Sequence, residues 1–344
     1  MAGLDPATHC TRVGGCKKVY RRADARLMDG RVEPGHDEMK MEAKMKANTT
    51  ILMIGAATFA LISGVAEAQN PPPAEHPAVT IRGVTYTPRS ILARNMGTPA
   101  DQETAFTPHK IAGNIYYVGT RTLPSFLIVT PQGNILINST YERNVATIAK
   151  SVESLGFKFA DTKILLGTHA HGDHQEGDAQ VKQMTGAQVV TLQEDVEQLR
   201  GIKPGGKEHP IDRIIKNGDT VSLGGVTLTA HLTAGHTHGC TTYTTTVNEG
   251  GRNYNVVFFC SIRSGVQPSA QVKAEFERTY AYVRTLPCDI PLSDHGAGYR
   301  MQEKFAKLSA GGPNPFVEPD GCFLEADVQE AMYKAQLAEE AAAK

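Results

Sequence analysis

Thr168-His169-Ala170-His171-Gly172-Asp173-His174 sets three histidines and one aspartate within six residues. Lys163-Ile164-Leu165-Leu166-Gly167 leads into it. That run is short, apolar and bounded by turn signals, so it reads as a buried strand. A loop leaving such a strand can aim its side chains at one point above the sheet edge. On extended backbone His169 and His171 face the same way, because side chains alternate. Asp173 and His174 then reach a second point close by. Neutral imidazoles and a carboxylate together suit zinc. The spacing implies two metal positions.

Two further histidines stand where such a loop needs partners. Thr233-Ala234-Gly235-His236-Thr237-His238-Gly239-Cys240 follows a strand-like run at Val226-Thr227-Leu228-Thr229-Ala230. Leu292-Ser293-Asp294-His295-Gly296 follows another at Cys288–Leu292. Each is a loop just past a strand end, and loops at one edge of a sheet can converge.

The surrounding pattern is mixed. Ile115-Tyr116-Tyr117-Val118, Ser125-Phe126-Leu127-Ile128-Val129-Thr130 and Ile135-Leu136-Ile137 are β-rich, with Pro131-Gln132-Gly133-Asn134 as a hairpin turn. Val145, Ile148, Val152 and Leu155 form a helical stripe that Gly156 ends. Helices are expected at Ala179–Thr185, Glu194–Leu199, Val272–Leu286, Met301–Leu308 and Ala326–Ala341, with a strand at Gln188–Thr191 and a hairpin pairing Thr241–Val247 with Tyr254–Phe259. Hairpins and βα units occur in both halves, which predicts two layers of sheet with helices outside.

The chain has 344 residues, 35 basic and 36 acidic, and no tryptophan. Near-neutral charge gives no basis for a nucleic-acid or charged-membrane partner. The longest apolar run, Ile51–Ile62, follows Lys44 and Lys46 and precedes Ala66-Glu67-Ala68. It is shorter than the ~20 residues of a membrane span. Positive start, short apolar middle and small-x-small end predict a secretory signal over 45–68, cleaved after Ala68, with export to the periplasm and no membrane anchor afterwards. Residues 1–44 are charged and lack apolar periodicity, and are expected to add nothing to the fold. The domain is then 69–344, with 69–110, rich in proline and threonine, as an arm over it. Its cysteines are Cys240, Cys260, Cys288 and Cys322, which in an exported chain allow two disulfides in any of three connectivities.

The His-x-His-x-Asp-His core, the Gly-His-Thr loop and the last strand-end histidine resemble the metallo-β-lactamase superfamily. The likeness runs from about Asn114 to the C-terminus. It extends to the third subclass of class B lactamases through Leu155–Leu166, Thr185–Val190, Gly235–Thr242 and Asn314-Pro315-Phe316-Val317-x-Pro319. The resemblance implies an α+β, four-layer αββα sandwich with the site at one edge between the sheets. It implies two zinc ions, the first held by His169, His171 and His236, the second by Asp173, His174 and His295. It implies hydrolysis of the β-lactam amide of penicillins, cephalosporins and carbapenems by a metal-bound hydroxide that Asp173 also orients. The sequence does not give the oligomeric state, and a monomer is favoured.

The alternative within the superfamily is a lactonase, a glyoxalase II-like thioesterase or an arylsulfatase. Many of these carry an aspartate bridging both zincs. The corresponding stretch here reads Val257-Phe258-Phe259-Cys260-Ser261-Ile262-Arg263 and holds no carboxylate. Cys260 is a candidate ligand, as in the first subclass, while Ser261 and Arg263 are candidates to receive a substrate carboxylate. Cys288–Cys322 resembles a bridge in some members and would pin the last helix; Cys240–Cys260 would link the strands flanking the site. Several positions depart from the family. Asn138-Ser139-Thr140 replaces Asp-Thr-Gly, Gln175-Glu176 replaces smaller residues, Tyr243 stands where tryptophan is common, and Asp294 adds a carboxylate beside His295.

Overall fold

The computed structural model describes residues 78–86, 96–262 and 269–342. The expected extension over 1–44, the signal over 45–68 and Arg263 lie outside these residues. Among the described residues no helix is long and apolar enough to cross a membrane.

Two sheets carry the fold. The first has seven strands in chain order: β3 (His109–Ala112), β4 (Ile115–Tyr117), β5 (Phe126–Thr130), β6 (Gly133–Ile137), β7 (Thr162–Leu166), β8 (Gln188–Leu192) and β9 (Arg213–Ile215). It is antiparallel up to β6 and parallel from β6 to β9. The second has five strands: β10 (Thr220–Leu223), β11 (Val226–Leu232), β12 (Thr241–Glu249), β13 (Arg252–Phe259) and β14 (Ile290–Ser293), of which only β13 and β14 pair in parallel.

Strand alternation distributes the apolar residues to two faces. Ile135, Ile137, Ile164 and Leu166 point inward and meet Leu228, Tyr243, Val256 and Phe258 from the other sheet. Leu136, Leu165 and Val189 point outward and are covered by Val145, Ile148 and Val152 of the helix Val145–Ser154. On the far side Val257 and Phe259 are covered by Phe276, Tyr280 and Val283 of the helix Ala270–Val283, and by Ala326 and Tyr333 of the helix Leu324–Ala342. The result is the expected αββα sandwich.

Some boundaries differ from the sequence reading. β3 starts at His109, so the last residues of the proposed arm belong to the first sheet. Its register shifts between Lys110 and Ala112, and its pattern is too short to read. A small hairpin, β1 (Val79–Ile81) with β2 (Val84–Tyr86), packs Tyr86 against Val328 and Met332 of the last helix. Asp173 and His174 sit on one helical turn, Gly172–Gln175, rather than on open loop. Cys240 bonds to Cys260 and Cys288 to Cys322.

Candidate metal centre

Three chain segments meet at one edge of the sandwich. The first leaves β7, the second joins β11 to β12, and the third leaves β14. His169, His171 and His236 have ligand-type atoms all within 4.8 Å of one another, and so do Asp173, His174 and His295. All six residues singled out in the sequence are therefore brought together in the two expected groups.

The donor spacing fits a metal ion. Tetrahedral zinc with nitrogen ligands needs donors about 3.3 Å apart. His169 Nε2 lies 3.1 Å from His171 Nδ1. Asp173 Oδ2 lies 3.3 Å from His174 Nε2 and 3.7 Å from His295 Nε2. The His169 and His174 rings are 4.2 Å apart between centroids, so the two groups adjoin. His169, His174 and His295 are buried, while His171, His236 and Asp173 are partly open to solvent. Burial, with His174 close beside it, pushes the His169 imidazole down to about 3, which keeps it in the neutral form that binds metal. Burial opposes ionisation of Asp173, but His174 and His295 hold its carboxyl well below the usual range.

Further residues hold these ligands in place. Asp195, buried just after β8, accepts from Ala170 N at 2.8 Å and Thr237 Oγ1 at 3.0 Å on one oxygen. Its other oxygen accepts from Gly239 N at 2.8 Å. One carboxylate thus ties the His169–His171 segment to the His236 segment. Gly239 has to be glycine, because a Cβ there would meet Asp195 N at 2.4 Å. Asp294 Oδ2 accepts from Ser261 N at 2.7 Å and lies 3.3 Å from His169 Nδ1. Its carboxylate therefore backs His169 of the first group most directly, and it also lies within 4.8 Å of a ligand-type atom of His174 in the second. Burial works against its charge, yet its hydrogen bond with His169 and the neighbouring histidines keep its carboxyl far below the usual range.

Beneath the second group lies a different set. Asn138 and Thr140 both adopt left-handed backbone, φ 65° and 59°. Asn138 Oδ1 accepts from Thr168 N at 2.9 Å, and Asn138 Nδ2 is 3.4 Å from His174 Nδ1. Ser139 Oγ donates to Asp178 Oδ1 at 2.6 Å. His209 Nε2 is 3.1 Å from Gln175 O and 3.4 Å from Asp178 Oδ2, and its Nδ1 is 3.0 Å from Pro210 O.

Cys260 is not available as a ligand in the form seen here, because its sulfur is bonded to Cys240. The same sulfur sits 3.5 Å from His169 Nδ1 and so packs against the first group. Ser261 is buried beside Asp294, and its Oγ has no hydrogen-bond partner among the described residues. Asp195, Asp178 and His209 were not singled out in the sequence. Asp195 follows a strand end, as the metal-binding loops do, and that was the one signal pointing to it.

The family model for the Metallo-beta-lactamase superfamily matches residues 119–248. FEZ-1 metallo-beta-lactamase from Legionella gormanii is 38% identical, over 69% of this chain and 98% of that one, with a TM-score of 0.66. BJP-1, a subclass B3 metallo-beta-lactamase of Bradyrhizobium japonicum, is 37% identical over 71% of this chain and 98% of that one, with a TM-score of 0.65. A hydroxyacylglutathione hydrolase of Hyphomonas neptunium is 38% identical over 72 residues, 21% of this chain and 25% of its own length. The match thus spans about a quarter of that curated relative. This chain belongs to the metallo-β-lactamase superfamily and is a hydrolase of that fold.

Proposed function

We propose that the protein hydrolyses the amide bond of β-lactams with two zinc ions. His169, His171 and His236 would hold the first ion, and Asp173, His174 and His295 the second. Bound there, zinc lowers the pKa of water to near neutrality and polarises a carbonyl oxygen. Asp173 is ionised and partly open to solvent, so its carboxylate accepts a hydrogen bond from the attacking water and orients it. Burial of His169, His174 and His295 limits water to the side where His171, His236 and Asp173 are open to solvent. The Ser261 hydroxyl, which has no hydrogen-bond partner among the described residues, would donate to a substrate carboxylate, and Arg263 would be the charge partner.

The observation that carries this reading is the composition of the β13 end. Cys260, locked to Cys240, and Ser261 occupy the stretch where a bridging carboxylate would favour other hydrolases of the superfamily. Two disulfides also fit an oxidising compartment and so support export to the periplasm. A second reading, a glyoxalase II-like thioester hydrolase, draws support from the hydroxyacylglutathione hydrolases that match part of the chain. Protein from Gln69 onward, loaded with zinc, separates the two. Turnover of a penicillin, a cephalosporin and a carbapenem, abolished by a chelator, is the expected result. Turnover of a glutathione thioester with none of the lactams would overturn it.

A further inference from the structure

Asn138 stands directly behind a histidine of the second group, and its donor side faces that ring. The Asn138 carboxamide cannot turn over. Its Oδ1 accepts from the backbone amide of Thr168 at 2.9 Å and from Thr168 Oγ1 at 3.2 Å, and a backbone N–H only donates. The residue is also anchored through its own peptide: Asn138 N donates to Leu166 O at 2.8 Å, and Asn138 O accepts from Ser125 Oγ at 2.6 Å. Its side chain is wholly buried. With Oδ1 engaged, the NH2 group must face His174 Nδ1, 3.4 Å away.

A neutral imidazole carries one proton, and the partner of one nitrogen sets which nitrogen holds it. Facing an NH2 group, Nδ1 is favoured as the acceptor, which leaves the proton on Nε2. Nε2 is the atom that points at Asp173 Oδ2 and the second group. To bind a metal there, the ring must move that proton to Nδ1, where two donors then confront each other. The first group has the opposite arrangement. His169 Nδ1 faces the Asp294 carboxylate at 3.3 Å, so its proton stays on Nδ1 and Nε2 is left to coordinate.

We propose that Asn138 makes the two metal positions unequal, holding His174 in the tautomer that does not coordinate and so weakening the second ion relative to the first. Asn138 is a positioning residue here, and the inference rests on the two-ion reading of the site. A carboxylate at 138 would accept from both Thr168 N and His174 Nδ1 and remove the mismatch.

The test is a competition titration of zinc-free protein with Zn2+ against a chromophoric chelator, on the wild type and Asn138→Asp. The expected result is that the wild type binds its first equivalent at least ten-fold more tightly than its second. Asn138→Asp should tighten the second step by about ten-fold or more, the scale of such supporting contacts, and leave the first unchanged. Nitrogen-15 histidine spectra of the zinc-free wild type should show His174 protonated on Nε2, a readout that needs neither metal nor variant. Two equal steps in the wild type, an unchanged second step in Asn138→Asp, or His174 protonated on Nδ1 would overturn the inference and leave the two-ion reading standing. Fewer than two zinc ions bound by both proteins at saturating metal would overturn both.

Discussion

The two metal pockets share an edge of the sandwich but are braced differently. The first is held by carboxylates. Asp195 ties its two chain segments together, Asp294 backs His169, and the Cys240–Cys260 bridge packs against the same ring. The second has an amide directly behind its ring, Asn138 behind His174, and its carboxylate, Asp178, lies further back, below the helical turn with Ser139 and the titrating His209. A carboxylate accepts hydrogen bonds at both oxygens and fixes the tautomer of the ring it faces; a carboxamide can do so only on one side. The number of ligands in a pocket therefore does not by itself set how well the pocket is prepared.

The largest expected effect is at the ligand both proposals share. Asp173→Asn should cut β-lactam turnover by about 100-fold or more, the scale of losing a group that positions the reacting water. It should also release the second zinc while the first remains. Loss of both ions in this variant would show that the pockets are not separable.

Replacing Cys240 and Cys260 together by alanine opens a loop with a sequence separation of 20 residues. From chain entropy this should cost about 3 kcal/mol of stability. Chemical denaturation of the reduced-bridge variant checks it, and zinc binding at the first pocket should weaken more than at the second.

Asp195→Asn leaves one acceptor where three donors converge, so an NH2 group must confront a backbone N–H. First-pocket zinc affinity should fall by about 10- to 100-fold, with the second step unchanged. An equal fall at both pockets would contradict the distinct bracing.

The smallest effect is a pH dependence of the second brace. Burial pulls the His209 imidazole down, but Asp178 and the carbonyls of Gln175 and Pro210 outweigh it, so its pKa is raised. Both ring nitrogens face oxygens, which only the imidazolium satisfies together. The folded value lies above the unfolded one, so this stabilisation is complete below about pH 6.5 and is lost as pH rises through the folded value. Thermal melts of the zinc-free protein against pH should show that loss in the wild type, and His209→Gln should lack it.

The ligands were legible in the sequence because metal binding demands particular residue types at strand ends. His169, His171, Asp173 and His174 announce themselves within one loop, and His236 and His295 complete them. Continuous apolar runs such as Ile135-Leu136-Ile137 likewise marked strands, and the structure covers them on both faces. The support was not legible. Asp195 reads as an ordinary acidic residue at a helix start until the chain brings Ala170 and Gly239 to it. Asp294 adjoins His295 in the sequence, yet β14 turns its carboxylate toward His169. His109 opens β3 with a register shift and hides inside a segment rich in proline. Each of these depends on where distant strands end, which local pattern does not encode.

The most direct test of the central claim is a single zinc titration followed by both metal content and cephalosporin hydrolysis on the same zinc-free protein. Two ions bound per chain, with hydrolysis appearing as they bind and disappearing on chelation, is the predicted result. Zinc bound at both positions without hydrolysis of any β-lactam, or hydrolysis that persists after the metal is removed, would contradict it.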